Sequence, residues 1–145
     1  MTRNGTRQAS RAEEVAGIMG ELIQKGKIRG WGQSMTTAKE IRRANAVTPL
    51  SAVQSEYSMM ERMFEKEIIP ACEELGIGFV AFSLMASGFL SGKYQKTDIY
   101  AGDDVRRVIT RFAPENVEAN QLLLAMLQTF AEQKHTTPSQ ISLAW

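Results

Sequence analysis

The stretch from Gly76 to Lys93, GIGFVAFSLMASGFLSGK, constrains the fold more than any other part of the sequence. It joins an apolar run, Ile77 to Ser83, to a loop in which glycine recurs. A strand without polar positions before its end is typical of a parallel sheet that is covered on both faces. Ligands bind at the C-terminal ends of such strands. We therefore expect a buried parallel strand whose following loop carries the functional site.

Helix patterns alternate with two further strand patterns ahead of this stretch. Apolar residues at helical spacing follow Ser10, Thr37 and Ser58, and a glutamate stands three positions after each of them, as in a capping box. Strands are predicted at Lys27–Ser34 and Leu50–Tyr57. Strand starts about two dozen residues apart suit right-handed βαβ units and a parallel sheet. The predicted fold class is therefore α/β.

The two ends of the sequence depart from this alternation. Residues 1–9 are polar and have no apolar anchor, so we predict a disordered N-terminus followed by one domain over 10–145. A polar excursion from Tyr94 to Ala113 precedes a long helix that is predicted from Pro114 to about Lys134. A last helix is predicted from Thr137. A first helix without a preceding strand, and a last helix cut short, are expected of a piece of a larger barrel.

The composition argues against several classes of partner. Seventeen Lys and Arg against sixteen Asp and Glu give a net charge of +1, so no overall field favours nucleic acid or an acidic membrane surface. No secretory signal opens the sequence, and the longest apolar run, Leu122 to Leu127, is far shorter than the ~20 residues that span a bilayer. We expect a cytoplasmic protein that binds neither nucleic acid nor membrane. The single cysteine, Cys72, is predicted to be a buried, inert thiol rather than a reactive one.

Six segments in collinear order, from about Glu13 to Trp145, resemble the aldo-keto reductases, in particular the branch related to potassium-channel β subunits and bacterial reductases. They are IQKGKIRGWGQS, AVQSEYSMMER, CEELGIGFVAFS, SGFLSGKY, RFAPENVEANQ and TPSQISLAW. The resemblance implies a partial (β/α)8 TIM barrel in which the three strands correspond to strands five to seven. It also implies NADP(H) as the cofactor, bound without a Rossmann motif.

The resemblance further implies a cofactor site. Ser34 and Gln54 match residues that hydrogen-bond the nicotinamide carboxamide, and Phe82 stands where an aromatic ring stacks on the nicotinamide. A hydroxyl and a side-chain amide suit the donors and acceptor of a carboxamide. The loop that follows matches the segment that contacts the pyrophosphate, with glycines that permit close backbone approach. Its assigned residues are Ser83, Leu84, Ser87, Gly88, Leu90, Gly92 and Lys93.

The sequence departs from the family pattern at several points. Met35 stands beside Ser34, where the family has asparagine or another polar residue, and it cannot donate to the carboxamide. The run Ser83-Leu84-Met85-Ala86 replaces Ser-Pro-Leu-Gly, which relaxes the loop and adds a side chain near the phosphate. The family's catalytic aspartate, tyrosine, lysine and histidine come from its first four strands. The basic residue that binds the 2′-phosphate in this family would follow Trp145. We therefore predict no catalytic residue, no metal site, and weak or absent NADP(H) binding by this chain alone.

Other polar residues are expected to have structural roles. His135 follows a helix and is predicted to be a solvated helix end, while Glu56 is predicted to be solvated or salt-bridged rather than a base. Arg106, Arg107 and Arg111 either contact phosphate or belong to a solvated charged loop.

Three functions remain open from the sequence. The first is NADP(H)-dependent reduction of aldehydes and ketones, which requires another polypeptide to supply the first four strands. The second is a non-catalytic half-barrel that forms homo-oligomers, or pairs with a full-length reductase, through open sheet edges. The third is a degraded gene product that folds poorly.

Overall fold

A computed structural model describes residues 3–145, with side chains from residue 11 onward. The chain forms two compact units. The first contains the residues up to Glu56 together with Arg62–Phe82, and the second contains Tyr57–Glu61 and Ser83–Trp145.

A three-stranded parallel sheet organises the first unit. Its strands, in spatial order, are β1 (Gly32–Ser34), β2 (Ala52–Glu56) and β3 (Gly78–Phe82). Ser34 pairs in register with Gln54, and Gln54 pairs with Val80. The parallel sheet confirms the predicted α/β class. β1 is shorter than the predicted Lys27–Ser34, because the backbone of residues 27–31 is bent or irregular and the regular ladder begins only at Gly32.

Helices cover one face of this sheet and leave the other open. They are α1 (Arg3–Gln24), α2 (Ala38–Val47) and α3 (Ile68–Leu75). Val53 of β2 is fully buried in a core shared with Ile41 and Cys72. On the opposite face Val80 is 45% exposed and Phe82 is 37% exposed. The prediction that β3 is covered on both faces is therefore wrong, because exposure alternates along this strand and only one face has a core packed against it.

Local sequence signals set several helix ends. The predicted capping box at Thr37 is confirmed: Thr37 Oγ1 accepts from Glu40 N–H at 3.2 Å, and Thr37 N–H donates to Glu40 Oε2 at 3.0 Å. The bonds from Thr37 lower the pKa of the Glu40 carboxyl. Pro70 lies in the first turn of α3, where proline is tolerated, and Gly76 ends that helix with φ of 65°.

Two other predicted capping boxes do not start helices. Ser58 Oγ accepts from the N–H groups of Met60 and Glu61, both at 3.2 Å, and Ser58 pairs with Glu61 in an isolated antiparallel bridge. This hydroxyl closes a turn, which the same spacing also suits because both motifs need an acceptor beside free N–H groups. α1 begins at Arg3, ahead of Ser10. The predicted disorder of residues 1–9 stays a prediction, and residues 1–2 lie outside the described part.

The second unit is helical. It contains α4 (Pro114–Ala119), α5 (Gln121–Gln133) and α6 (Pro138–Ala144), with 3-10 turns at Phe89–Ser91, Val105–Val108 and Thr110–Phe112. The single long helix predicted from Pro114 is interrupted at Asn120. α6 begins at Thr137 as predicted, and Thr137 and Gln140 form a capping box there. Among the residues from 3 to 145, no helix combines the length and apolarity needed to cross a bilayer.

α1 and α2 meet through a contact that leaves no room for a side chain. Thr48, at the end of α2, donates its hydroxyl to the Ala16 carbonyl of α1 at 2.6 Å. A methyl group on Gly20 would lie 2.6 Å from Thr48 Oγ1, whereas one on Gly17 would meet nothing within 4 Å. Gly20 therefore permits the close approach of the two helices, and Gly17 does not contribute to it.

We predict opposite effects for alanine at these two glycines of α1. Gly20→Ala should lower the free energy of unfolding by about 1–3 kcal/mol, because the new methyl group displaces Thr48. Gly17→Ala should raise it by up to about 1 kcal/mol through helix propensity alone. Urea denaturation followed by circular dichroism measures both. Equal effects of the two substitutions would contradict the close contact.

Candidate functional site

Ser34 and Gln54 lie side by side at the C-terminal ends of β1 and β2. The Ser34 hydroxyl donates to Gln54 Oε1 across 3.5 Å, and both side chains are exposed on the open face of the sheet. Within the described part of the chain, the Gln54 Nε2 group donates no hydrogen bond. Two amide protons and further acceptor sites on Gln54 Oε1 and Ser34 Oγ are thus available to a ligand.

Phe82 shares the open face with this pair. Residues two apart in a strand point to the same side, and Val80 is the register neighbour of Gln54. Phe82 therefore points to the same side as Ser34 and Gln54, at the end of β3, with 37% of its surface exposed. The parallel register brings the three predicted nicotinamide contacts to one face at one end of the sheet.

Met35, which directly follows β1, adopts a left-handed backbone conformation with φ of 50°. Its N–H donates to the Gln54 carbonyl at 2.9 Å, and its side chain is 59% exposed. Asparagine and glycine tolerate this conformation better than methionine does. Methionine at this position therefore has two consequences. It removes a side-chain amide that could bind a ligand, and it places an unfavourable residue in the backbone turn beside Ser34.

The loop Ser83–Lys93 has an unusual backbone. Ala86, Ser87 and Gly88 have φ of 51°, 58° and 92°, so three consecutive residues are left-handed, and Ser83 before them has φ of 57°. Such conformations cost non-glycine residues about 1–2 kcal/mol each and persist only where surrounding contacts hold them. The contacts here are core contacts, because Ala86, Phe89 and Leu90 are fully buried.

The backbone donors of this loop fall into two groups. The N–H groups of Gly88 and Leu90 both donate to the Met85 carbonyl, at 2.9 and 3.2 Å, and that of Gly92 donates to the Phe89 carbonyl at 3.2 Å. By contrast, four N–H groups donate to no partner in the described part of the chain. They belong to Ser83, Leu84, Met85 and Ser87.

The predicted loop contacts differ accordingly in what they offer a ligand. Ser87 and Lys93 have exposed side chains, and Ser83 and Leu84 are half-buried. Leu90 is a core residue with its N–H already bonded, so it offers a ligand nothing without rearrangement. Successive free N–H groups in such turns form concave sites for anions. The free N–H of Met85 was not predicted, since no sequence signal distinguishes it from its neighbours.

The chain matches the sequence profile described as the aldo/keto reductase family over residues 6–145. The chain belongs to the aldo-keto reductase family. Its structure is similar to that of the glycerol dehydrogenase AKR11B4 from Gluconobacter oxydans, with a TM-score of 0.87 and 26% sequence identity. The similarity covers 92% of this chain and 41% of that chain, so this chain spans less than half the length of that relative. The fold is accordingly part of a (β/α)8 barrel with an open sheet.

Cys72 and His135 are two further titratable residues of this aldo-keto reductase chain whose positions were predicted. Cys72 is 1% exposed, which confirms its predicted burial, and this burial raises the pKa of its thiol. His135 is exposed, in a left-handed position after α5. From residue 3 onward, no group of three or more His, Cys, Asp or Glu residues could hold a metal ion.

We predict that Met35→Asn stabilises this aldo-keto reductase chain. Asparagine relieves the left-handed strain, so the free energy of unfolding should rise by about 0.5–1 kcal/mol. Met35→Leu keeps a similar side chain and a similar strain, and it should leave stability unchanged. Urea denaturation compares the variants. A gain with leucine equal to that with asparagine would show that the backbone conformation is not the cause.

Proposed function

We propose that this chain forms part of the NADP(H)-binding edge of an oxidoreductase that reduces aldehydes and ketones. One observation carries the proposal: a hydroxyl and a side-chain amide, Ser34 and Gln54, are held side by side on the exposed face where β1 and β2 end. The family membership and the similarity to a glycerol dehydrogenase support it, since that protein's name implies interconversion of an alcohol and a carbonyl compound.

The first unit binds the nicotinamide carboxamide in this proposal. Gln54 Nε2 donates to the carboxamide oxygen, and Gln54 Oε1 and Ser34 Oγ accept from its amide protons. Phe82 supplies an apolar ring face for stacking. These contacts fix the orientation of the nicotinamide ring.

The second unit binds the pyrophosphate. The N–H groups of Leu84, Met85 and Ser87 have no partner in the described part of the chain and are available to bind an anion. The Ser87 hydroxyl and the Lys93 ammonium add an exposed donor and a positive charge. The N–H groups of Gly88, Leu90 and Gly92 hold the loop together instead.

The reaction needs more than these contacts. NADPH, when bound, supplies the hydride. The residues of this chain bind and orient the cofactor, and the proton donor comes from strands one to four, which another part of the protein or another polypeptide supplies. The chain by itself therefore binds NADP(H) weakly and does not turn over a carbonyl compound.

A second candidate function is a non-catalytic half-barrel that associates with itself or with a full-length reductase. The open sheet face favours it, because Val80 and Phe82 expose apolar surface beside two strand edges, β1 and β3. Size-exclusion chromatography with and without NADPH tests it. A monomer that unfolds cooperatively would count against this alternative.

The proposed binding is tested by nuclear magnetic resonance, which detects weak binding. Titrating the ¹⁵N-labelled chain with NADP⁺ into the millimolar range should shift the amide signals of Ser34, Gln54 and the Ser83–Lys93 loop. Gln54→Leu and Ser34→Ala should each weaken the apparent affinity about three- to tenfold, the loss expected for one hydrogen bond. Ser51→Ala, an exposed serine at the opposite end of the sheet, is the matched control and should have no effect.

Two results would contradict this proposal. One is a wild-type chain whose amide signals do not shift with NADP⁺, or shift only away from these strand ends. The other is an equal loss of affinity in the Ser51→Ala control. A sub-micromolar dissociation constant by Trp31 fluorescence would refute the weak binding proposed for the chain alone.

A further inference from the structure

Arg106 lies in the polar excursion after the Ser83–Lys93 loop, yet its side chain is fixed on several sides. Its Nε donates to Asp104 Oδ1 at 2.8 Å, and its Nη1 donates to the Tyr94 hydroxyl at 2.7 Å. Its guanidinium carbon lies 5.0 Å from the ring centroids of both Tyr94 and Tyr100, a cation–π distance. The side chain is 30% exposed. A solvated arginine does not need this many partners.

Asp104 keeps Arg106 in place. Its carboxylate caps the 3-10 turn by accepting from Arg106 N–H at 3.0 Å and also accepts from the guanidinium. The hydrogen bonds from Arg106 lower the pKa of Asp104, and the carboxylate in turn raises the pKa of Arg106. Both partners are therefore charged throughout the pH range in which the protein would be handled.

Tyr94 connects this arginine to the left-handed turn of the loop. A methyl group on Gly88 would lie 3.1 Å from the Tyr94 hydroxyl oxygen and 3.2 Å from its Cε2 atom. The Tyr94 ring thus packs closely over Gly88, the last of the three consecutive left-handed residues. The hydroxyl that approaches Gly88 is the one that accepts from Arg106.

An aromatic cluster supports the same contact. Phe112, at the far end of the excursion, is 4% exposed and packs edge-on against Tyr94, Tyr100 and Phe89, with centroid distances of 5.1, 5.6 and 5.6 Å. Phe89 directly follows Gly88. The excursion is therefore attached to the loop at Gly88 through Tyr94 and at Phe89 through Phe112.

We propose that Arg106 is a positioning residue that clamps Tyr94 onto Gly88 and so holds the turn at 86–88 in the conformation that leaves the Ser87 N–H free for the cofactor pyrophosphate. The clamp consists of Asp104, Arg106, Tyr94 and Gly88. Its role toward the pyrophosphate rests on the proposed function, whereas its effect on the turn does not. Arg106 does not contact the cofactor itself in this account.

The neighbouring Arg107 provides a matched control. It is exposed, it lies in the same 3-10 turn, and its Nη1 donates to the Gly102 carbonyl, away from Gly88. Arg106→Gln and Arg107→Gln change the net charge equally. A difference between them therefore reports the clamp rather than the overall electrostatic field.

Amide hydrogen exchange and NADP⁺ titration test the clamp together. Arg106→Gln should speed exchange of the Gly88 and Leu90 N–H groups roughly tenfold, because the turn loses a charge-assisted contact. The same variant should weaken NADP⁺ binding by a similar factor, and Arg107→Gln should change neither. Arg106→Lys retains the charge without the planar fork and should rescue only part of both effects. Tyr94→Phe keeps the ring over Gly88, loses the hydroxyl, and should fall between wild type and Arg106→Gln.

The outcomes separate the clamp from the proposed function. Equal exchange rates of the Gly88 amide in Arg106→Gln and Arg107→Gln overturn the clamp, whatever NADP⁺ does. Faster exchange with unchanged NADP⁺ affinity overturns the positioning role. If the wild type does not bind NADP⁺, the proposed function and the positioning role both fail, and the exchange rates alone then decide whether Arg106 holds the turn. Ser34→Ala and Gln54→Leu should weaken NADP⁺ binding without changing loop exchange.

Discussion

The parallel register of β2 between β1 and β3 is the constraint on which the candidate nicotinamide contacts depend. This register places Gln54 between Ser34 and Val80 on the open face, while Val53 and Ser55 point into the helix-covered side. A slip by one residue would exchange the two faces, because side chains alternate along a strand. Burial of Val53 against Ile41 therefore fixes the exposure of Gln54.

Packing also determines the shape of the loop in the second unit. The left-handed conformations of Ala86 and Ser87 are unfavourable for residues with a Cβ atom. They persist because Ala86, Phe89 and Leu90 anchor the loop in a buried core, and Tyr94 closes over Gly88. The N–H groups of residues 88–92 bond within these turns, whereas those of Leu84, Met85 and Ser87 donate to no partner in the described part of the chain.

Much of this arrangement followed from local patterns in the sequence. The Thr37 capping box, the helix that begins at Thr137 and the three strand segments were predictable because each depends on neighbours along the chain. The Ser58 box failed because a hydroxyl followed by free N–H groups serves a tight turn equally well. The coverage of β3 was wrong because apolar content alone does not reveal how many faces have a packed neighbour.

The clamp around Arg106 could not be found from the sequence. Arg106 and Arg107 are adjacent and identical in type, and only the tertiary contacts with Tyr94 and Tyr100 distinguish them. In the same way, Met35 was recognised as a departure from a polar family position, but its left-handed backbone became evident only from the turn that follows β1. Contacts between residues distant in sequence decided both cases.

Cysteine accessibility tests the orientation of β2 most directly. In separate variants, Gln54→Cys and Ser55→Cys place a thiol at adjacent positions of this strand, while the native Cys72 stays buried in both. The account predicts that an aromatic disulfide reagent labels Gln54→Cys rapidly in the folded chain and labels Ser55→Cys only as the chain unfolds. Equally rapid labelling of both, or faster labelling of Ser55→Cys, would contradict the register that places Gln54 beside Ser34 on the open face.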